Sequence, residues 1–239
     1  FHYVVNLSGY VDHSSFLNGG SNVIDTHFRG VQNLLHAFDW KPLKKFVQIG
    51  SSDEYGSLPA PHKEDIRESP ISPYALGKVA SNNLLQMLYR TEKFPVVILR
   101  LFLVYGEGQN DERFLPQIIK GCLLDKTFPT SKGEQLRDFS HIDDITNGII
   151  MSFDKDEANG EIINLASGVP LSIREIIETI QELIGSGSPD FGKISYRNGE
   201  NMTLFADILK AKKILGWSPK VGLNEGLERT INHFRLNNI

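Results

Sequence analysis

Short apolar runs alternate with longer segments of helical periodicity in the first part of the chain. The runs are typical of buried strands and lie at Tyr3–Leu7, Phe46–Ile49, Val96–Leu103 and Ile162–Leu165. Segments with one apolar face at helical spacing separate the first three runs. Strands that are joined by helical crossovers run parallel, so the pattern predicts an α/β protein built on a parallel sheet.

The sequence also marks where several helices begin and end. The first is predicted over Val23–Phe38, and the second begins near Ser72, with Pro73 in its first turn. A polar stretch runs up to Arg137, and the stretch Gly185–Gly192 is interpreted as a flexible turn. Further helices are predicted at Leu115–Leu124, Asp143–Phe153 and, after a Ser172 cap, Ile173–Ile184.

Composition narrows the classes of function. The chain has 239 residues, of which 40% are hydrophobic and 23% are charged, so it can bury an ordinary core. Acids outnumber bases 29 to 25, and the net charge of -4 leaves no broad cationic surface for nucleic acid. No apolar run approaches the roughly 18 residues of a membrane span, and the single cysteine, Cys122, fits a reducing compartment. We therefore expect a cytoplasmic protein that binds neither nucleic acid nor membrane.

Two further features set expectations about processing and metals. Phe1 stands inside the first apolar run, so we expect that a preceding part of the fold is absent and that no signal peptide is involved. The 7 histidines lack metal-ligand spacing and are interpreted as surface or packing residues. No metal site is predicted.

Two Tyr-x-x-x-Lys pairs lie on the second predicted helix, Tyr74 with Lys78 and Tyr89 with Lys93. Residues at this spacing share a helix face, and an ammonium beside a phenol favours the phenolate, a usable general base. Spacing alone does not choose between the pairs, but ligands bind at the carboxyl ends of parallel strands. The helix start that carries Tyr74 follows the strand that ends near Ser51. We therefore predict a site at Tyr74 and Lys78 and a surface location for the other pair.

A series of motifs in a fixed order carries a resemblance to a known family. The motifs are Ser51-Ser52-Asp53-Glu54-Tyr55-Gly56, Pro73-Tyr74 with Lys78, Leu99-Arg100-Leu101-Phe102 with Tyr105-Gly106, Arg137-Asp138-Phe139 with Asp143-Asp144, Asn164-Leu165-Ala166, and Leu215-Gly216-Trp217. Through them the chain resembles, nearly end to end, the extended short-chain dehydrogenases/reductases of the NAD-dependent nucleotide-sugar epimerase/dehydratase group. The resemblance implies a doubly wound parallel sheet of the Rossmann type, incomplete at its N-terminal part, with a smaller C-terminal α/β region that binds substrate.

The resemblance also implies a division of the chain into domains. Residues 1–105, joined again by about 140–167, would form the remaining part of an NAD(P)-binding Rossmann domain. Residues 106–139 and 168–239 would form the nucleotide-sugar-binding region.

The implied cofactor is NAD or NADP. The family opens with a Gly-x-x-Gly-x-x-Gly turn that holds the dinucleotide pyrophosphate, and this sequence contains no such turn. Leu7, Ser8 and Gly9 match the family's fourth strand, where small residues let the backbone approach the cofactor. A plain turn at a strand end is the alternative interpretation of these residues.

The family's catalytic roles map onto the end of the second strand and the start of the second helix. Tyr74 would take the proton from a sugar hydroxyl as the C4 hydride passes to the nicotinamide. Lys78 would hold the nicotinamide ribose, and Ser51 would hydrogen-bond the same sugar oxygen. Asp53 would be either a base for a C5 proton, as in dehydratases, or a turn carboxylate that caps loop amides. Ser52 stands where deoxythymidine-sugar dehydratases carry an acidic aspartate, which weakens a dehydratase assignment.

Neighbouring side chains in an extended segment point to opposite faces, so one of Asp53 and Glu54 is expected to be structural. Arg137 and Arg197 match the family's pyrophosphate-binding arginines, whose forked donors suit phosphate. A surface salt bridge is the alternative for each arginine.

The resemblance implies an epimerase or dehydratase that acts on a nucleotide-linked hexose through C4 hydride transfer. The segment Phe191–Met202 also resembles cytidine-diphospho-abequose and paratose synthases, so an NAD(P)H-dependent 4-keto-sugar reductase is an alternative. A non-catalytic binding or scaffold member of the fold is a second alternative. The first two helices carry more apolar surface than packing against one face of the sheet can bury, which predicts a homodimer. The residues that suggest this surplus are Phe38, Leu84, Met87 and Leu88.

Overall fold

The computed structural model describes residues 1–197 and 199–236, which form two compact units. The first unit comprises Phe1–Phe102, Asn147–Leu165 and Ala206–Ser218. The second comprises Leu103–Thr146, Ala166–Phe205 and the described residues from Pro219 onward. Neither unit is therefore a single continuous segment.

The strands and helices alternate most regularly in the first half of the chain. The strands are β1 (Tyr3–Asn6), β2 (Lys45–Ser51), β3 (Val96–Leu101), β4 (Leu103–Tyr105), β5 (Thr127–Thr130), β6 (Leu136–His141), β7 (Ile162–Leu165), β8 (Pro170–Ser172), β9 (Ser188–Phe191) and β10 (Thr203–Leu204). The helices are α1 (Gly20–His36), α2 (Pro73–Glu92), α3 (Phe114–Leu123), α4 (Ile142–Met151), α5 (Ile173–Ile184) and α6 (Leu223–Leu236).

A parallel sheet in the order β1-β2-β3-β7 forms the centre of the first unit. Helices α1 and α2 pack against each other, and α2 packs against β2 and β3. The core between them contains Val31 and Leu35 of α1, Leu85 of α2, and Phe46 and Ile98 of the strands. The predicted α/β architecture with a parallel sheet is confirmed.

The N-terminal end of α2 follows its sequence signals. The Ser72 hydroxyl accepts a hydrogen bond from the Ala75 amide at 3.1 Å, and Pro73 occupies the first helical position. Its last residue is followed by Lys93 in the left-handed conformation, which ends the helix. The cap fixes where Tyr74 stands relative to the sheet edge.

The second unit is built on shorter strands. Strands β10, β6 and β4 pair in parallel, β8 pairs antiparallel with β6, and β5 pairs in parallel with β9. Helices α3, α5 and α6 enclose a core whose members include Ile119, Ile176, Ile177 and Ile231. Helix α5 has the predicted bounds and the predicted Ser172 cap.

Two sequence expectations differ from the structure. Strand β9 lies inside Gly185–Gly192, so the prediction of a flexible turn there was wrong, and its partner β5 lies in the polar stretch up to Arg137. Pairing between distant segments orders these polar residues. The run Val96–Leu103 is broken at Phe102, because β3 pairs with β7 whereas β4 pairs with β6.

The observed units also differ from the predicted division, which assigned all of 168–239 to the substrate region. Ala206–Ser218 belongs to the first unit. Ala206 forms a β-bridge with His62, and Asn164 Nδ2 donates a hydrogen bond to the Asp207 carbonyl at 3.3 Å. Trp217 of the same segment is buried. The described residues contain no helix that is long and apolar enough to cross a membrane.

Candidate active site

The carboxyl end of β2 continues into a tight turn that fixes Ser51. The Ser51 hydroxyl accepts a hydrogen bond from the Asp53 amide at 3.2 Å, and the Glu54 carboxylate accepts one from the Ser51 amide at 2.8 Å. This reciprocal cap holds the 3₁₀ turn Ser52–Tyr55. Ser51 is therefore rigidly placed at the carboxyl edge of the sheet, and it is half-buried.

Glu54 is a structural carboxylate. It is fully buried and accepts hydrogen bonds from Arg100 Nε at 2.7 Å and from Asn82 Nδ2 at 2.8 Å. Gly50 allows this approach, because a Cβ at that position would lie 2.7 Å from Glu54 Oε1. Arg100 also pairs with Glu68, so the buried guanidinium and carboxylates compensate each other.

Tyr55 is also structural. Its ring stacks against the Arg100 guanidinium, with 4.6 Å from Cζ to the ring centroid, and its hydroxyl donates to Asn164 Oδ1 at 2.7 Å. Burial raises the pKa of Tyr55 to about 12. A phenol held in this way stays protonated and is not a base.

Tyr74 and Lys78 occupy the first turns of α2, beside the end of β2. The Lys78 ammonium donates to the Ile49 carbonyl at 2.8 Å and lies 5.9 Å from the centroid of the Tyr74 ring. Burial lowers the pKa of Lys78, and the Glu54 carboxylate opposes that shift. The ammonium thus links α2 to the carboxyl end of β2, next to Ser51.

Tyr89 and Lys93 repeat this geometry at the other end of α2. The Lys93 ammonium also lies 5.9 Å from the centroid of its tyrosine ring. Lys93 is exposed, and the Tyr89 ring packs so closely on Gly160 that a Cβ there would lie 2.0 Å from it. The pairs therefore differ in location and not in local geometry.

Asp53 and Glu54 face different neighbours, as expected for one structural and one outward carboxylate. Asp53 Oδ2 lies 3.7 Å from His13 Nε2, in the loop between β1 and α1, and its side chain is 31% exposed. The separation comes from a 3₁₀ turn and not from the extended segment that the sequence suggested.

Leu7, Ser8 and Gly9 follow β1 at the same edge of the sheet. Leu7 is exposed, and the Ser8 amide donates to Asn6 Oδ1 at 3.1 Å, which makes a compact turn. Gly9 has φ +110°, and a Cβ on it would lie 2.3 Å from His27 Cε1. Packing against His27 is therefore a sufficient reason for glycine here.

Arg137 and Arg197 belong to the second unit, and both contact Glu200, Arg137 through its side chain and Arg197 through its backbone. Arg137 is nearly buried and forms an ion pair with the Glu200 carboxylate, while its Nη1 donates to the Leu136 carbonyl at 2.8 Å. Arg197 is exposed, and its backbone carbonyl accepts from the Glu200 amide at 3.0 Å. The negative charge of the Glu200 carboxylate therefore compensates the positive charge of the Arg137 guanidinium.

Sequence reasoning missed His13 and His27 as neighbours of Tyr74. The His13 and His27 rings approach Tyr74 edge-on, with centroids 5.7 Å and 5.1 Å away. The available signal was position, since both lie in or after the loop that follows β1, at the carboxyl edge of the sheet. In the part of the chain that the structure describes, no group of three or more His, Cys, Asp or Glu side chains is placed to hold a metal.

Residues 1–166 match the sequence model of the NAD dependent epimerase/dehydratase family. The chain belongs to this family. A curated relative, the UDP-glucuronate 4-epimerase of Thermodesulfobacterium geofontis, is 33% identical over 217 residues, which are 90% of this chain and 66% of the relative. The dTDP-glucose 4,6-dehydratase of Streptomyces niveus is 28% identical over 230 residues, or 95% of this chain and 68% of the relative.

A solved structure agrees with these relatives. UDP-glucuronic acid 4-epimerase from Bacillus cereus, in complex with UDP-glucuronic acid and NAD, superposes with a TM-score of 0.88 at 30% identity. The match covers 99% of this chain and 76% of that one. The Rossmann-type fold and the link to an NAD-dependent family are thereby confirmed. The chain spans about two thirds of the length of the curated relatives that it matches first.

Proposed function

We propose that this epimerase/dehydratase family member acts on a nucleotide-linked hexose by oxidation at C4, with epimerisation or dehydration as the outcome. The observation that carries the proposal is the placement of Tyr74 and Lys78 at the start of α2, beside the rigid Ser51 turn at the end of β2. Tyr74 takes the proton of the C4 hydroxyl, and Ser51 hydrogen-bonds the same oxygen. The Lys78 ammonium favours the phenolate form of Tyr74 by its charge.

The residues at this edge fit NAD or NADP. An ammonium has three N–H donors, and the acceptor found for Lys78 among the described residues is the Ile49 carbonyl, which leaves donors for ribose hydroxyls. Ser8 and Gly9 would lie along the dinucleotide. When bound, the cofactor supplies the hydride acceptor for C4. The side chains of this chain orient the sugar and hold the proton at the Tyr74 oxygen.

Asp53 is proposed as the carboxylate that faces the sugar. The Asp53 side chain is 31% exposed at the carboxyl edge of the sheet, in the turn that the Ser51 and Glu54 side chains cap, so a bound sugar can reach it. A carboxylate here would accept a C5 proton if the reaction is a dehydration.

Arg137 and Arg197 are proposed to bind the substrate diphosphate. The Arg137 guanidinium is held by Glu200 and by the Leu136 carbonyl, so its fork is already oriented. A diphosphate would then exchange with Glu200 for part of that fork.

The test is product analysis with NAD and a panel of nucleotide-linked hexoses, and with NADH or NADPH and nucleotide-linked 4-keto hexoses, followed by mass spectrometry and proton NMR. Unchanged mass with an inverted C4 means an epimerase, and loss of one water means a dehydratase. A gain of two hydrogens that requires added NAD(P)H means the 4-keto-sugar reductase. NAD and sugar binding without turnover of any sugar would support the binding-module alternative and overturn this proposal.

We also propose a homodimer through the outer faces of α1 and α2. Leu88 is buried in the core and Phe38 stacks on Phe46, so neither contributes to that surface. Leu76 is 46% exposed and Met87 is 39% exposed on α2, and these residues form the surplus apolar face. Light scattering should give twice the chain mass, and Met87→Glu should give the monomer. A monomeric wild-type protein at micromolar concentration would overturn the dimer.

A further inference from the structure

His13 contacts two of the residues proposed for catalysis. Its Nε2 lies 3.7 Å from Asp53 Oδ2, and its ring approaches the Tyr74 ring edge-on at 5.7 Å between centroids. One imidazole thus spans from the turn after β2 to the first turn of α2. It belongs to neither element, because it is supplied by the loop between β1 and α1.

The loop that carries His13 is fastened on both sides of that residue. Asp12 Oδ1 accepts a hydrogen bond from the Ser14 amide at 2.7 Å, which closes a turn with His13 at its centre. Gly20 packs against the loop and α2 together, since a Cβ there would lie 2.6 Å from Pro73 Cγ and 2.7 Å from the Ser14 carbonyl. The backbone around His13 is therefore held against the residue that precedes Tyr74.

His27, the other imidazole at Tyr74, has a different role. It is buried, and burial lowers its pKa, so it is neutral. Its Nε2 lies 3.0 Å from the Tyr10 carbonyl, where a neutral ring can donate a hydrogen bond, and it packs on Gly9. His27 braces the loop, whereas the His13 side chain is 45% exposed and faces a carboxylate. The Lys78 ammonium adds to the lowering of the His27 pKa, so of the two histidines it is His13 that lies against the Asp53 carboxylate.

The distance between His13 and Asp53 has a consequence for catalysis. At 3.7 Å the His13 ring lies against the Asp53 carboxylate but is farther from it than a hydrogen bond allows. The ring therefore limits the positions that the carboxylate can take, and the same ring also contacts Tyr74. A sugar bound at Tyr74 would then meet the Asp53 carboxylate in one orientation.

We propose that His13 is a positioning residue that holds the Asp53 carboxylate beside Tyr74 for the reaction. This inference rests on the proposed function and adds a residue from a separate loop to it. A purely structural surface pair would contribute little to stability and nothing to turnover. The two roles differ in what they change: a positioning residue lowers kcat and acts only through Asp53.

The experiment is a double-mutant cycle on kcat and KM with the hexose that the panel identifies. The variants are His13→Gln, Asp53→Asn and the double variant, and His36→Gln, an exposed histidine at the end of α1, is the matched control. We expect His13→Gln to lower kcat by about tenfold, the size typical of coupled residues in contact, with KM nearly unchanged. In the Asp53→Asn background the same change should have no further effect.

The outcomes separate the two proposals. Wild-type turnover with His13→Gln equal to His36→Gln, or additive losses in the cycle, would overturn the positioning role alone. A wild-type protein without turnover on every sugar would overturn the proposed function and this role together.

Discussion

At the scale of a residue, Tyr74 and Tyr89 have the same local geometry but different locations, so comparing them shows whether location determines function. Both share the Tyr-x-x-x-Lys spacing and the same 5.9 Å from ammonium to ring. We predict that Tyr74→Phe lowers kcat by about 10²–10⁴-fold, because it removes the group that holds the proton. Tyr89→Phe, the matched control, should leave kcat unchanged. Equal losses in the two variants, with circular dichroism unaltered, would contradict the site assignment.

Glu200 gives a second prediction at this scale. It neutralises the Arg137 guanidinium that we propose binds the substrate diphosphate. Glu200→Gln should lower KM, because a diphosphate then competes with a neutral amide. Arg137→Ala should raise KM by about tenfold, with little change in kcat.

The control for this pair is Arg235→Ala, which removes one positive charge from an exposed position of α6 in the same unit. It should leave KM unchanged. If Arg235→Ala and Arg137→Ala raise KM equally, the effect is one of net charge and the assignment of Arg137 fails.

The sequence predicted Tyr74, Lys78 and Ser51 at the sheet edge because their placement depends on local signals, a helix cap and a strand end. It did not predict the partners of Asp53 and Glu54. His13 reaches Asp53 from a loop that is distant along the chain, and Arg100 reaches Glu54 from the next strand. Those contacts depend on sheet register, which a single sequence does not specify locally.

At the scale of elements, α5 is the clearest case of a helix set by its own sequence. Ser172 Oγ accepts from the Glu175 amide at 3.1 Å, and Glu175 Oε2 accepts from the Ser172 amide at 2.7 Å. We predict that Ser172→Ala costs about 1 kcal/mol in the free energy of unfolding. Denaturant melts monitored by circular dichroism would measure the difference.

Glu175 adds a pH dependence to the same cap. Hydrogen bonds from Ser172 hold the pKa of Glu175 below its usual value of 4.5. A lowered pKa in the folded state means that the contribution is present above the unfolded value and is lost as pH falls through the folded value. Glu175→Gln should therefore destabilise the protein at neutral pH, and its difference from wild type should shrink below about pH 4.

Glu182→Gln is the control for that titration, since it removes the same charge from an exposed position of the same helix. It should not reproduce the pH-dependent difference. If the difference in free energy of unfolding between Glu175→Gln and wild type stays constant across the acid range, protonation of Glu175 is not linked to folding and the prediction fails.

Elements without strong local signals were less predictable. Helix α5 has a cap and an apolar stripe, so its bounds followed from the sequence. Strands β5 and β9 are short and polar, and they exist because Thr127–Thr130 pairs with Ser188–Phe191 from far along the chain. The prediction of a flexible turn failed at β9 because pairing between distant segments outweighed local composition.

At the scale of the whole molecule, the interleaving of the two units predicts their cooperativity. The first unit needs β7 and Ala206–Ser218, and the chain reaches them only after passing through Leu103–Thr146 and Ala166–Phe205 of the second unit. If the second unit unfolded alone, each of these connections would become a flexible loop of about 40 residues, at about 3 kcal/mol each in closure entropy. Together the two loops cost about 6 kcal/mol, which is comparable to the total stability of a typical domain, about 5–15 kcal/mol. We therefore expect the two units to unfold together.

The two tryptophans allow a direct test, because Trp40 and Trp217 both belong to the first unit. Circular dichroism reports both units, since α3, α5 and α6 lie in the second. We predict that denaturant transitions by tryptophan emission and by far-UV circular dichroism coincide. Trp40→Phe leaves Trp217, in the last segment of the first unit, as the sole reporter and should give the same midpoint. If the circular dichroism signal is lost at a lower denaturant concentration than the Trp217 emission, the second unit unfolds first. The interleaved connections would then not couple the two units.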